Sequence, residues 1–357
     1  MTIINNIEID NIEYIPDDIK HSIEYNQPIE NKLHMIICIS NPCQYARRYI
    51  LAREFKKRIE QNEKNVILYI VELAYHLPGK NPQKFYITEK GNPRHLQLFT
   101  DTAPLWHKEN MWNLGIQLLP KNWKAVAFCD ADISFDNPHF AIDTLKILNG
   151  TRDIVHMHSH CLDLNLNLDI MSVFNSFGFQ YTRERPYCHT GKNFFHPGYN
   201  IAMTRKAYEQ IGGIYELSIL GSGDRNFLFC LVNNGIKSIN ENASDMYKKS
   251  IIEFEKKCVG LKLGYVHGVI FHYFHGSKKN RKYTERWEIL IKHQYDPYKH
   301  MTKNKDGLII PSKECPQEML DDIMEYFSQR NEDNNLPDLS TSELSSDLEV
   351  VMAALAI

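Results

Sequence analysis

The stretch KAVAFCDADISFDN (124–137) sets a short apolar run against two aspartates separated by one alanine. The run is bounded and brief, and it reads as a buried strand that ends at Asp130-Ala131-Asp132. In an extended segment residues i and i+2 point to the same side, so the two carboxylates can address one point beyond the strand. Hard divalent cations take such oxygen ligands, and Mg²⁺ typically adds substrate phosphates to one or two carboxylates. An acidic turn closing a strand is the competing reading of the same three residues, because a lone D-x-D is a common tripeptide.

Working outward, HMIICIS (34–40), NVILYIVEL (65–73) and DIVHMHS (153–159) are further short apolar runs with β-branched residues. Between them, YARRYILAREFKKRIEQ (45–61), LWHKENMWNLGIQLL (105–119) and HFAIDTLKIL (139–148) carry apolar residues at helical spacing. Buried strands alternating with helices predict an α/β fold, a doubly wound and mostly parallel sheet with helices on both faces. Such sheets bind ligands outside the carboxyl ends of their strands. That edge collects Ser40-Asn41-Pro42, Glu72 and Asp130-Ala131-Asp132.

Composition narrows the function. The 357 residues are 43% hydrophobic, enough for one large domain or two ordinary ones. A net charge of -3 argues against nucleic acid or an acidic membrane as a general partner. Eight scattered cysteines without a CxxC pair disfavour a zinc ribbon and point to a reducing compartment. No uninterrupted apolar run is long enough to span a bilayer, and the acidic N-terminus lacks a signal-like block, so a soluble, cytoplasmic chain is expected. The expected organisation is an N-terminal extension (1–33), a main domain (34–300) divided near residue 160, a helical segment (301–330) and an acidic, disordered tail (331–357).

Four further features carry chemistry. HGVIFHYFHGSKKNRKY (267–283) ends a predicted strand in His272 and His275 and continues into Lys278 and Arg281. Neutral imidazole is a metal ligand and arginine a bidentate partner for phosphate, while packed histidines and a solvated helix start are the alternative. Gly221-Ser222-Gly223-Asp224 allows a tight backbone beside a ligand. Asp224 is there either a helix cap or a carboxylate poised as a base. Lys108 and Asn110 sit near the start of a predicted helix, where anions are favoured. His196-Pro197-Gly198 opens another strand.

In their order, ISNP (39–42), LWHKENMWNLGIQLLP (105–120), VAFCDADISF (126–135), HPGYNIAMTRKAYEQIGG (196–213), LGSGD (220–224) and FHYFHGSKKNRKYTER (271–286) resemble GT-A-type nucleotide-sugar glycosyltransferases, most closely the family 2-like proteins of bacteria, phages and large viruses. The resemblance implies an acceptor-side subregion beside the nucleotide-binding half, and a nucleotide-diphospho-sugar donor, a UDP-sugar first. It implies Mn²⁺ or Mg²⁺ on Asp130, Asp132 and His275, with His272 competing for the last place. Ser40, Asn41, Pro42 and Glu72 fall where the nucleobase and ribose are held. Lys108, Asn110, Asp130, Ala131, Gly198, Lys278 and Arg281 fall where the rest of the donor is contacted. Asp224 falls where the acceptor-side base of an inverting displacement stands, although many relatives carry two acidic residues there and this chain has one. The acceptor is a glycan, a lipid-linked sugar or a protein. A sugar-nucleotidyltransferase is a weaker alternative, since SNPCQYARR (40–48) lacks the glycines of its phosphate loop, and a non-catalytic glycan-binding protein is a third.

Overall fold

Two strands meet at the D-x-D turn and fix where the site forms. The computed structural model describes residues 2–4, 7–9, 12–184, 195–282 and 285–333. After a small hairpin of β1 (Thr2–Ile4) and β2 (Ile7–Ile9) come β3 (Leu33–Ser40), β4 (Val66–Tyr75), β5 (His95–Thr100), β6 (Ala125–Cys129) and β7 (Ile133–Phe135). The middle of the chain supplies β8 (Ile154–His156), β9 (His160–Leu164), β10 (Ile170–Ser176), β11 (Phe195–His196) and β12 (Asn200–Thr204). β13 (Leu263–Tyr265) and β14 (Val269–His272) complete the main sheets.

The larger sheet has seven strands in the order β13-β8-β12-β6-β3-β4-β5. Its centre is parallel, β3 pairing with both β4 and β6, and only β12 runs antiparallel to its neighbours. Side chains alternate between two apolar layers, as the period of two requires. Val126 and Phe128 of β6 join Ile36, Met111 and Trp112 on one face. Ala125, Ala127 and Cys129 join Met35, Tyr49, Phe55, Phe140 and Leu145 on the other. Both faces are therefore covered, by helices Lys108–Gly115, Ala46–Asn62 and Phe140–Ile147 among others. This is the predicted α/β, mostly parallel architecture.

The second sheet, β11-β10-β9-β14-β7, was not separated from the first in the sequence. β9 is its centre, and β14 lies between β9 and β7, parallel to the first and antiparallel to the second. The chain passes from the first sheet to the second through Asp130-Ala131-Asp132, and Ala131 and Asp132 form a turn rather than extended strand. The same-side alternation expected of the two aspartates therefore does not apply.

Two outer segments are given shape only by the structure. The N-terminal extension is fastened to the domain: helix Asp17–Tyr25 buries Ile19, and Glu30 accepts a hydrogen bond from Ala125 N (2.7 Å). The segment 301–330 is not all helix. β15 (Met301–Lys303) and β16 (Ile309–Pro311) form a hairpin before helix Gln317–Gln329. Asn304 Oδ1 accepts from Asp306 N and Leu308 N, and Gly307 takes a positive φ of 82°, so an Asp-Gly turn overrides the helical reading. Residues 331–333 pack on the domain, and the remainder of the expected tail, 334–357, lies outside the described residues. No helix among the described residues is long and apolar enough to cross a membrane.

Candidate functional site

A cavity of about 680 Å³ opens beyond the carboxyl ends of β3 and β6. Ser40, Asn41, Pro42, Lys108, Asp130, Ala131, Asp132, His196, Asp224, His272, His275 and Arg281 all line it. Turns and strand ends bring them together, so the neighbours in space are remote in sequence.

At one side, Asp132, His272 and His275 converge. Asp132 Oδ2 is 3.0 Å from His275 Nε2 and 3.8 Å from His272 Nε2. The two Nε2 atoms stand 3.2 Å apart. His272 Nδ1 lies 2.6 Å from Asp163 Oδ1, across the register that pairs β14 with β9. A carboxylate accepts, so Nδ1 holds the proton and Nε2 turns its lone pair toward Asp132 and His275. Arg281 Nη2 lies 3.0 Å from His275 Nε2, the same ring nitrogen that faces Asp132. Asp132 Oδ1 is buried without a hydrogen-bond partner. One ligand atom from each of Asp132, His272 and His275 lies close enough to the others for a single cation to meet all three. Two imidazoles and a carboxylate fit a divalent ion that accepts nitrogen ligands, which the oxygen-seeking Mg²⁺ does less well. Burial pushes His272 below its ordinary pKa despite Asp163 and Asp132, keeping it in the neutral, ligating form. Burial works the other way on Asp132, but its surroundings on the His275 and Arg281 side hold its carboxyl below the usual range.

Asp130 stands outside that group. Its Oδ1 is 3.3 Å from Lys108 Nζ, which also reaches Asp224 Oδ2 at 3.7 Å. Lys108 opens helix Lys108–Gly115, and the two carboxylates keep it protonated against the cost of burial. Burial raises Asp130 to about 6, with Lys108 pulling it down and Asp132 and Asp224 pushing it up. Burial would raise Asp224 as well, yet Lys108 and His196 bring it below its ordinary value.

Asp224 is not the cap of helix Gly223–Leu231. Ser222 occupies that position, in a left-handed conformation (φ 73°). Asp224 lies in the first turn, accepts from Arg225 N (2.7 Å) and faces the cavity. Gly198 passes directly behind it. His196, lowered by burial to about 3, is a neutral wall, and its ring stacks on Tyr199 at 4.2 Å. Tyr199 holds a positive φ of 80° while its carbonyl accepts from Asp130 N (2.7 Å). A bulky residue in that region is strained, and here it anchors the start of the D-x-D turn.

Other expected residues are placed elsewhere. Glu72 is buried outside the cavity, its carboxylate accepting from the backbone of Tyr86, Ile87 and Thr88 and from Thr88 Oγ1. Asn110 turns away from the cavity, bonding Glu216 Oε2, Gly307 O and Ile309 N. The Lys278 side chain lies outside the described residues. Asp163, Arg48 and Glu332 escaped the sequence reading. Asp163 is one polar residue in the alternating run HCLDLNLNL, and only strand register places it beside His272.

No family model matches the chain, and no curated protein matches it. Among solved structures, it is similar to the catalytic domain of Drosophila beta1,4-galactosyltransferase 7 in complex with xylobiose, at 11% identity and a TM-score of 0.38 over 82% of this chain and 99% of that one. A mutant of the Drosophila enzyme in complex with manganese, UDP-Gal and xylobiose scores 0.37 at 10% identity, over 82% and 98%. The mannosyltransferase PcManGT of Pyrobaculum calidifontis, in complex with GDP-Man and Mn²⁺, scores 0.38 at 12% identity, over 95% and 86%. Likenesses this weak carry no inference about chemistry.

Proposed function

We propose that this chain is a metal-dependent glycosyltransferase that moves a sugar from a nucleotide-diphospho-sugar, a UDP-sugar first, to an acceptor hydroxyl with inversion. The observation that carries the reading is the convergence of Asp132, His272 and His275 on one point of a cavity whose other side holds Asp224. Asp132, His272 and His275 would hold a divalent cation there, which would supply positive charge against a leaving diphosphate. Arg281 adds positive charge on that side. Ser40, Asn41 and Pro42 form the nucleoside end, and Asp130, paired with Lys108, faces the donor between them.

In the reaction, the acceptor oxygen bonds to the anomeric carbon as the bond from that carbon to the phosphate oxygen breaks. The electron pair leaves with the diphosphate. Asp224 takes the acceptor proton, and its lowered pKa keeps it ionised at neutral pH. Gly198 leaves room for that carboxylate, and the neutral His196 beside it does not compete for the proton.

Calorimetry with UDP and GDP, with and without Mn²⁺, tests the reading. Nucleotide binding should require Mn²⁺ and vanish in Asp132→Ala. Asp224→Asn should keep that binding and lose transfer. Equal binding with and without the metal, as a simple glycan- or nucleotide-binding protein would give, overturns the proposal.

A further inference from the structure

His272 is held from behind by Asp163, and the second imidazole has a counterpart. Glu332 Oε2 lies 3.8 Å from His275 Nδ1, the nitrogen opposite the one that faces Asp132. A cation on Nε2 would leave the His275 proton on Nδ1, on the Glu332 side. Each imidazole thus points Nε2 at Asp132 and Nδ1 at a buried carboxylate.

Glu332 is 1% exposed. Its carboxylate accepts from Arg48 Nη2 (2.6 Å) and from Arg330 Nε (2.7 Å). One negative charge between two positive ones leaves a net cation at the cavity wall, which Arg48 and Arg330 both line. The segment around Glu332 straps two loops of the site together. On one side Tyr45 Oη donates to Phe327 O and Ser328 O, and Asp333 accepts from Ala46 N (2.8 Å) and Arg47 N (3.0 Å) at the start of helix Ala46–Asn62. On the other, Tyr326 Oη donates to Arg281 O (3.1 Å). Gly276, next to His275, approaches so closely that a Cβ there would stand 3.1 Å from Glu332 Cα.

We infer that Glu332 is a positioning residue of the metal centre, and that docking of the segment 327–333 and cation binding at Asp132, His272 and His275 strengthen each other. The inference rests on the metal site proposed above. A carboxylate behind a ligating imidazole fixes its tautomer and orientation, and losing such a group typically costs about 10- to 100-fold in metal affinity. Binding and docking are reciprocal, so the cation must stabilise the strap as much as the strap favours the cation.

The test uses the full chain and Mn²⁺ alone, with free Mn²⁺ read by electron paramagnetic resonance. Wild type should bind Mn²⁺, Asp132→Ala should not, and Glu332→Gln should bind at least about tenfold more weakly. Hydrogen exchange on wild type should show residues 327–333 protected when Mn²⁺ is added. A merely structural Glu332 would lower the melting temperature of the metal-free protein and move neither readout. If Asp132→Ala loses Mn²⁺ while Glu332→Gln keeps wild-type affinity and the strap gains no protection, this inference falls and the metal site stands. If wild type binds no Mn²⁺, both fall. Should Glu332→Gln fail to fold, the wild-type exchange measurement alone decides.

Discussion

Gly198 is packed against Asp224: a Cβ on residue 198 would stand 2.7 Å from Asp224 Oδ2 and 2.9 Å from His196 Cε1. Neither neighbour can retreat freely, since Asp224 is held by Arg225 N and His196 is stacked on Tyr199. Gly198→Ala should therefore displace the proposed base. A misplacement of about 1 Å can cost about 100-fold in rate, so transfer should fall by that order while Mn²⁺-dependent nucleotide affinity stays within about twofold. Steady-state kinetics beside calorimetry on the same variant checks both halves. Wild-type turnover would mean that the position of Asp224 is not critical.

Lys108 Nζ lies between the carboxylates of Asp130 and Asp224, and all three side chains are largely buried. Removing one member of a buried ionic group leaves the others uncompensated, at a cost of about 3–5 kcal/mol. Urea unfolding of Lys108→Met should show a loss of that order. The double variant Lys108→Met, Asp224→Asn should lose less than the sum of the singles, because the second change removes a stranded charge. Strict additivity would contradict the coupling.

Buried histidines predict an acid limb of stability. Burial lowers His107 and His156 to about 4 and His196 to about 3. Unfolded histidine titrates near 6.5, so below that pH the unfolded chain binds protons that the folded chain refuses. Stability is then complete above about pH 7 and falls as pH drops toward 4, by up to about 1.4 kcal/mol per pH unit for each such histidine. Urea midpoints between pH 7.5 and 4.5 measure the slope. Equal stability at pH 7 and pH 5 would contradict the burial.

Glu72 should matter to stability and not to nucleotide. Its carboxylate holds residues 86–88 through three backbone amides and the Thr88 hydroxyl. Glu72→Gln weakens charge-assisted bonds worth about 1.5–3 kcal/mol each, so thermal unfolding should shift down by several degrees. Affinity for UDP with Mn²⁺ should stay unchanged. A selective loss of nucleotide affinity at an unchanged melting temperature would restore the ligand role expected from position alone.

The sequence by itself determined the parallel core. Runs such as HMIICIS and AVAFC are short, almost continuously apolar and closed by polar residues, the pattern of strands covered on both faces. It also pointed to the strand ends at which the cavity opens, and it named Asp132, His272, His275, Lys108 and Asp224, which line that cavity, by residue type. Only the tertiary structure decided how they divide. The turn at Ala131–Asp132 sends Asp130 to Lys108 and Asp132 to the imidazoles, and the β9–β14 register brings Asp163 behind His272. Glu332, in a stretch whose composition reads as tail, is buried between two arginines beside His275. Periodicity records which face of an element is apolar over a few residues. Charge pairing is decided by contacts between segments far apart along the chain, and no local pattern encodes those.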